Sequence, residues 1–334
     1  MYHRARNEMI RDCIYKMAKP TERTSKAIAT FHKGDVLTVL KKLSKKKFDL
    51  IVTSPPYNIG KVYERSNHLT FEQYVEWLDK VIEALVASLA ESGSICWQVG
   101  SFVKNGEIFP LDIYTYESFK RRGLKLRNRI VWRFNFGLNS KKRFSGRYET
   151  ILWFTKSDKY TFNLDPVRIP QLYPGKRHSK GKDSGQPSGN PLGKNPSDYW
   201  EFSADQHLRE NPIWDIPNVK ANHPEKTIHP CQFPVELIER CVLALTNAGD
   251  TVFDPFIGTG TTAIAAIKHN RNAVGVDKES MFLKIARDRV KRLAAGTLKI
   301  RNIGKAISRP RPTDKVARIP DEWRTVERKG GLHG

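Results

Sequence analysis

Ser54-Pro55-Pro56-Tyr57 stands one residue beyond the apolar run Phe48-Asp49-Leu50-Ile51-Val52. Such a run reads as a buried strand, so the cluster lies at a strand's carboxyl end, where open α/β sheets place their ligands. Two consecutive prolines stiffen the backbone and remove two amide donors, leaving carbonyls to accept hydrogen bonds. With a hydroxyl from Ser54 and a flat ring from Tyr57, the cluster suits an amino group on a planar base.

A second strand, Thr251-Val252-Phe253, runs into Asp254-Pro255-Phe256-Ile257-Gly258-Thr259-Gly260-Thr261-Thr262, with Ala263 to Ile267 as the following helix. Glycines at this bend let the backbone approach a ligand closely, and the helix amino terminus offers free amides to a carboxylate. The next strand, Asn272 to Val276, ends at Asp277, about twenty residues beyond the glycines, where a carboxylate accepts ribose hydroxyls. A nucleoside-bearing ligand is indicated. The loop alone leaves NAD open, since the dinucleotide fingerprint tolerates Ala263 at its third glycine. The first motif decides, because a dehydrogenase has no need of Ser-Pro-Pro-Tyr at a second strand end.

These motifs need a scaffold, and periodicity supplies one. Phe71, Tyr74, Val75, Leu78, Ile82, Leu85 and Leu89 recur at three and four residues and predict an amphipathic helix from Thr70 to a stop at Ser92-Gly93. Ser94–Gly100, Arg129–Trp132 and Thr150–Phe154 read as strands, and Pro234 fits the first turn of a helix running to about Thr246. Strands alternating with helices predict a doubly wound α/β sheet. From Lys156 to Glu225 the periodicity disappears and Gly, Pro, Ser and Lys dominate, as in Gly175 to Lys182. This reads as a functional loop or inserted module, with a disordered linker as the alternative for Lys176 to Asp198. Its Lys176, Arg177, Lys180 and Lys182 suit backbone phosphates, while Trp200, Phe202 and Trp214 either pack the module or contact bases.

The chain has 334 residues, 39% of them hydrophobic, enough for a sizeable core. Its 58 Lys plus Arg against 35 Asp plus Glu give a net charge of +23, which implies a polyanionic partner, with nucleic acid favoured over a membrane. No segment reads as a signal peptide or membrane span. Cys13, Cys96, Cys231 and Cys241 show no zinc spacing and the histidines no ligand pair, so a reduced cytoplasmic setting without a structural metal is expected.

Ser54-Pro55-Pro56-Tyr57, Asp254 to Gly260, and His229-Pro230 with Pro234-Val235-Glu236-Leu237 together resemble the amino-directed, S-adenosylmethionine-dependent DNA methyltransferases. The resemblance implies a Rossmann-like methyltransferase fold, a mostly parallel mixed sheet with an inserted target-recognition region. The motif order, catalytic first and cofactor last, looks like the circularly permuted beta group. Implied divisions are a catalytic half over 28–155, a target-recognition insertion over 156–225, a cofactor-binding half over 226–296 and a basic tail over 297–334. Ser54, Pro55, Pro56 and Tyr57 take the catalytic role. The cofactor residues are Asp35, His229, Pro230, Asp254, Pro255, Phe256, Gly258, Gly260, Thr261, Thr262 and Asp277, although Asp35 reads equally as a turn or helix cap. Double-stranded DNA is the implied partner, with a cognate restriction endonuclease in a prokaryotic or phage setting and a monomer or homodimer as the working unit.

Ser in the first motif position favours cytosine-N4, with adenine-N6 as the alternative. Family members often carry Thr-Gln-Lys after His-Pro, and this chain has Cys231-Gln232-Phe233. Pro230-Cys231-Gln232 matches the nucleophile motif of carbon-5 cytosine methyltransferases, but precedes the glycine loop where that family has it following, and the nearest Glu-Asn-Val is Glu210-Asn211-Pro212. A non-catalytic DNA-binding protein would explain the charge but not the glycine loop. An RNA or protein methyltransferase would share the cofactor half.

Overall fold

A computed structural model describes residues 27–58, 69–134, 139–171, 173–200, 219, 223–303 and 313. Among the described residues the expected sheet is present, with eight strands in the order β1-β10-β9-β2-β3-β7-β6-β8. These are β1 (Ala29–Lys33), β2 (Phe48–Thr53), β3 (Leu89–Val99), β6 (Lys125–Arg133), β7 (Tyr148–Thr155), β8 (Tyr199–Trp200), β9 (Thr251–Asp254) and β10 (Asn272–Asp277), while β4 (Ser101–Lys104) and β5 (Glu107–Pro110) form a separate hairpin. The five strands from β1 to β3 run parallel. Strand β7 is antiparallel to β3 and to β6, and β8 is parallel to β6.

Strand β2 is apolar almost throughout because both its faces are covered. Leu50 and Val52 enter one core with α4 (Val235–Leu245) and α5 (Thr261–Lys268), while Ile51 enters the other with α1 (Val36–Lys42), α2 (Phe71–Ser88) and α3 (Leu111–Arg121). Helix α2 starts from a capping box: the Gln73 N–H donates to Thr70 Oγ1 and the Thr70 N–H to Gln73 Oε1. It ends at Ser88, four residues before the predicted stop. Leu89 turns extended, at φ −73 and ψ 135, and opens β3 beside Phe48. Pro234 stands just outside α4 as its N-cap.

Two sequence readings change. The segment after Lys156 is built into the body at both described ends: Val167, Ile169 and Trp200 are buried in the main core, and Tyr199–Trp200 is the eighth strand. Trp200 is therefore a packing residue, its indole N–H donating to the Ser197 carbonyl at 3.0 Å. Between them, Lys176 to Ser188 fold back on themselves, with Ser188 N–H on Lys176 O and His178 N–H on Gln186 O. Phe202, Trp214 and Glu210-Asn211-Pro212 lie outside the described residues.

The predicted basic tail also begins inside the protein. Leu298, Ile300 and Ile303 pack on the core, and Arg301 is buried against Glu236 of α4. Helix α6 (Ser280–Ala294) precedes this segment. Among the described residues no helix is long and apolar enough to cross a membrane, and no cluster of His, Cys, Asp or Glu is placed to hold a metal.

Candidate active site

The adjacency of β2 and β9 brings two motifs 201 residues apart into contact, since Thr53 Oγ1 donates to Asp254 Oδ1 at 2.6 Å. Asp254 also accepts from the Phe256 N–H at 3.0 Å and, on its other oxygen, from Thr262 Oγ1 at 2.6 Å. Burial pushes its carboxyl up to about 6 in spite of these three donors. Asp254 thus ties the carboxyl end of β2 to the glycine bend and to the first turn of α5.

In the first motif, the Ser54 hydroxyl donates to Tyr57 Oη at 3.1 Å. That commits its hydrogen and leaves the oxygen as an acceptor. The Pro56 carbonyl is taken by Tyr74 Oη at 2.7 Å, so α2 fixes the second proline. Asn58 adopts φ 55 and its side-chain amide donates to the Leu69 carbonyl at 2.8 Å. Burial, with the Glu149 carboxylate second, holds the Tyr57 phenol well above its ordinary value.

The sequence reading missed Glu149. It stands near the start of β7, and a methyl group placed on Gly100 would touch both Glu149 and the Tyr57 ring at 3.3 Å. Gln98, on β3, donates to Glu149. The signal available was Glu149 at the polar entry to an apolar strand, but the β3–β7 pairing that brings it to Tyr57 is tertiary.

Around the second motif, Asp277 ends β10 and accepts the Gly258 N–H at 2.9 Å and the Glu279 N–H at 2.7 Å. Each oxygen keeps a lone pair for a ligand hydroxyl, and burial raises this carboxyl. Gly260 has φ 85, and a Cβ there would lie 2.8 Å from Ala286 Cβ, so the bend packs directly on α6. Pro255 and Phe256 continue the bend, with Phe256 against Trp77 of α2 at 5.7 Å. Thr261 and Thr262 are buried in the first turn of α5.

His229 reaches the same bend: its Nε2 lies 3.3 Å from where a Cβ on Gly258 would stand, and its ring packs on Phe282. Burial, with Lys226 second, lowers it to about 4, so it is neutral at pH 7. Thr227 Oγ1 donates to Thr259 Oγ1 at 3.3 Å, a second tie between the segments. Pro230 and Cys231 are exposed on the following turn, where the Cys231 N–H donates to His229 Nδ1.

Asp35 is the N-cap of α1, accepting the Leu37 and Thr38 N–H groups, and it pairs with Lys278 at 3.2 Å. The cap reading is therefore filled, although Gly34 N–H on Asp277 O keeps Asp35 beside the β10 end. Lys176, Arg177, Lys180 and Lys182 are exposed on their own fold-back in the insertion. S-adenosylmethionine fits the second motif: a bend too tight for a Cβ at Gly260, a carboxylate with spare lone pairs at Asp277 and a helix amino terminus converge there.

A family model described as DNA methylase, covering the N6 and N4 types, matches residues 48–288. The type II methyltransferase M.BglII of Bacillus subtilis is 45% identical over 256 residues, covering 76% of this chain and 67% of its own. The DNA adenine methyltransferase YhdJ of Escherichia coli K12 is 32% identical over 270 residues, covering 80% and 84%. Among solved structures, TTHA0409 of Thermus thermophilus, complexed with S-adenosyl-L-methionine, superposes with a TM-score of 0.53 at 25% identity, covering 84% of this chain and all of that one. Membership of an amino-directed family leaves the carbon-5 reading of Cys231 without support. With motifs, sheet and relatives in agreement, this chain belongs to the N6/N4 DNA methylases and uses S-adenosylmethionine to methylate DNA.

Proposed function

We propose that the enzyme is a site-specific methyltransferase acting on the exocyclic N4 of a cytosine flipped out of duplex DNA. The carrying observation is the hydrogen bond from Ser54 to Tyr57 Oη, which takes the hydroxyl hydrogen and leaves Ser54 Oγ its lone pairs as a neutral acceptor. An exocyclic amino nitrogen is a weak nucleophile because its lone pair is delocalised into the ring. When Ser54 Oγ and the Pro55 carbonyl accept its two hydrogens, the nitrogen becomes more tetrahedral and its lone pair turns toward the methyl group. The cofactor supplies an electrophilic methyl on a sulfonium. Pro56 is held by Tyr74, and Tyr57 offers a face for the flipped ring, returning roughly 1–3 kcal/mol of the unstacking cost.

Asp277 holds the ribose, the Gly258 to Thr262 bend and His229-Pro230 surround the methionine end, and Asp35 backs the adenine side. Lys176, Arg177, Lys180 and Lys182 contact phosphates within a target-recognition insertion over 156–225. The motif order supports the beta group, and the type II relative supports pairing with a restriction endonuclease. The working unit is a monomer or homodimer.

Adenine-N6 is the second reading, favoured by the name of YhdJ at 32% identity. Incubation with unmethylated DNA and S-adenosylmethionine, then nucleoside digestion and mass spectrometry, separates them. N4-methylcytosine is expected. N6-methyladenine selects the second reading, and no methylated nucleoside overturns both.

A further inference from the structure

The described part of the connection between β6 and β7, residues 139–147, has no role in the chemistry above, yet it leads into a strand end beside it. Thr53 pairs with Trp97 on β3, and Val99 of β3 pairs with Thr150 of β7. The start of β7, and the loop before it, therefore stand on the sheet edge that carries Tyr57. The loop base is fixed by the Arg133–Tyr148 pair and by the Phe134 N–H on the Arg147 carbonyl at 2.8 Å. Its tip is tightened by the Ser140 N–H on Ser145 Oγ.

At that tip Phe144 is 100% exposed. Leaving a Phe side chain in water forgoes the hydrophobic gain of its burial, so an isolated monomer draws no benefit from it. Lys141, Lys142 and Arg143 precede it and Arg147 follows, with no acidic residue from Phe134 to Tyr148. Lys141, Lys142 and Arg143 have no carboxylate partner among the described residues. A bare aromatic ring framed by cations matches a partner that is anionic outside and stacked and apolar inside, which describes duplex DNA. Four extended residues from Tyr148 reach at most about 13–14 Å, more than the ~8.5 Å depth of the major groove.

We infer that the 139–147 loop is a DNA-opening element, in which Phe144 enters the base stack at the position the target base vacates while Lys141, Lys142 and Arg143 grip the flanking phosphates. The inference rests on the DNA-methylating function proposed above. The wedge replaces stacking lost by the extruded base and blocks its return.

The test uses the full chain as wild type, Phe144→Ala and Phe144→Trp. Methylated plasmid first identifies the target site, and duplexes are then made with that site paired normally or with the target's partner base removed. Phe144→Ala is expected to lower kcat/KM on the paired duplex about tenfold or more, to recover to within about threefold on the duplex whose target is already unpaired, and to bind S-adenosylmethionine normally. Phe144→Trp is expected to keep activity on both. Equal activity of Phe144→Ala and wild type on the paired duplex overturns the inference, as does an equal deficit on both duplexes. Phe144-dependent binding to phosphatidylserine vesicles with unchanged DNA kinetics also overturns it, because the ring then serves a lipid surface. Wild type that methylates no DNA removes the proposed function, and the wedge with it.

Discussion

Ser54 and Tyr57 share one hydrogen bond, and that bond divides their contributions. Ser54→Ala removes the acceptor proposed for the reacting amino group, so kcat should fall roughly 10²–10³-fold with S-adenosylmethionine affinity unchanged by calorimetry. Tyr57→Phe keeps the ring and loses only the oxygen that orients Ser54, worth about 0.5–1.5 kcal/mol or roughly two- to tenfold in kcat. Tyr57→Ala also loses stacking and should cost more; equal kinetics for Phe and Ala would assign no role to the ring. Asp254 makes a pH prediction. Its folded value of about 6 lies above the ordinary 3.8, so between these values the folded protein holds more protons and stability falls as pH rises. Asp254→Asn should therefore gain stability relative to wild type from pH 4 to pH 7, by up to about 3 kcal/mol, in urea titrations at both ends. His229 has the opposite sign. It is lowered to about 4 from 6.5, so its contribution is full above pH 6.5 and is lost as pH falls toward 4.

Among the elements, the strand ends were legible because a largely apolar run of three to five residues followed within three residues by Pro is too short for a helix and ends where a buried strand must turn. Strands β2 and β9 are of this kind, and their motifs meet as the sheet order requires. Leu89 misled because the helical stripe continues in phase into a strand that also needs an apolar residue there, with no stop signal at Ser88. Tyr199–Trp200 is too short to carry a period, and Glu149 depends on a pairing 51 residues away in sequence. Arg301 looked like solvated tail charge, since its partner Glu236 lies 65 residues earlier. The glycine bend supports a graded prediction. Gly260→Ala meets Ala286 at 2.8 Å with φ 85 and should cost roughly 1–3 kcal/mol together with cofactor binding. Gly258→Ala, at φ 49 and 3.3 Å from the His229 ring, should be the milder of the two in urea denaturation and cofactor titration.

For the molecule as a whole, a charge of +23 makes salt the natural probe of the DNA complex. Changing Lys176, Arg177, Lys180 and Lys182 to Ala together should flatten the plot of log affinity against log salt by up to about 3–4 units, leaving cofactor binding intact. An unchanged slope would place the phosphate contacts elsewhere, with the 139–147 loop as the next segment to neutralise. The hydrogen bond from Thr53 to Asp254 spans 201 residues, and this has a consequence in time. At roughly 5–20 residues per second, β2 emerges from the ribosome on the order of 10–40 s before its neighbour β9. Through that interval a central apolar strand has one edge unpaired, which is when association with other nascent chains competes with folding. On the proposed site, the growing chain also lacks its cofactor carboxylates until Asp254 and Asp277 have been made, so methylation begins only after nearly the whole sheet has closed, although the basic segments at 139–147 and 176–182 are made earlier.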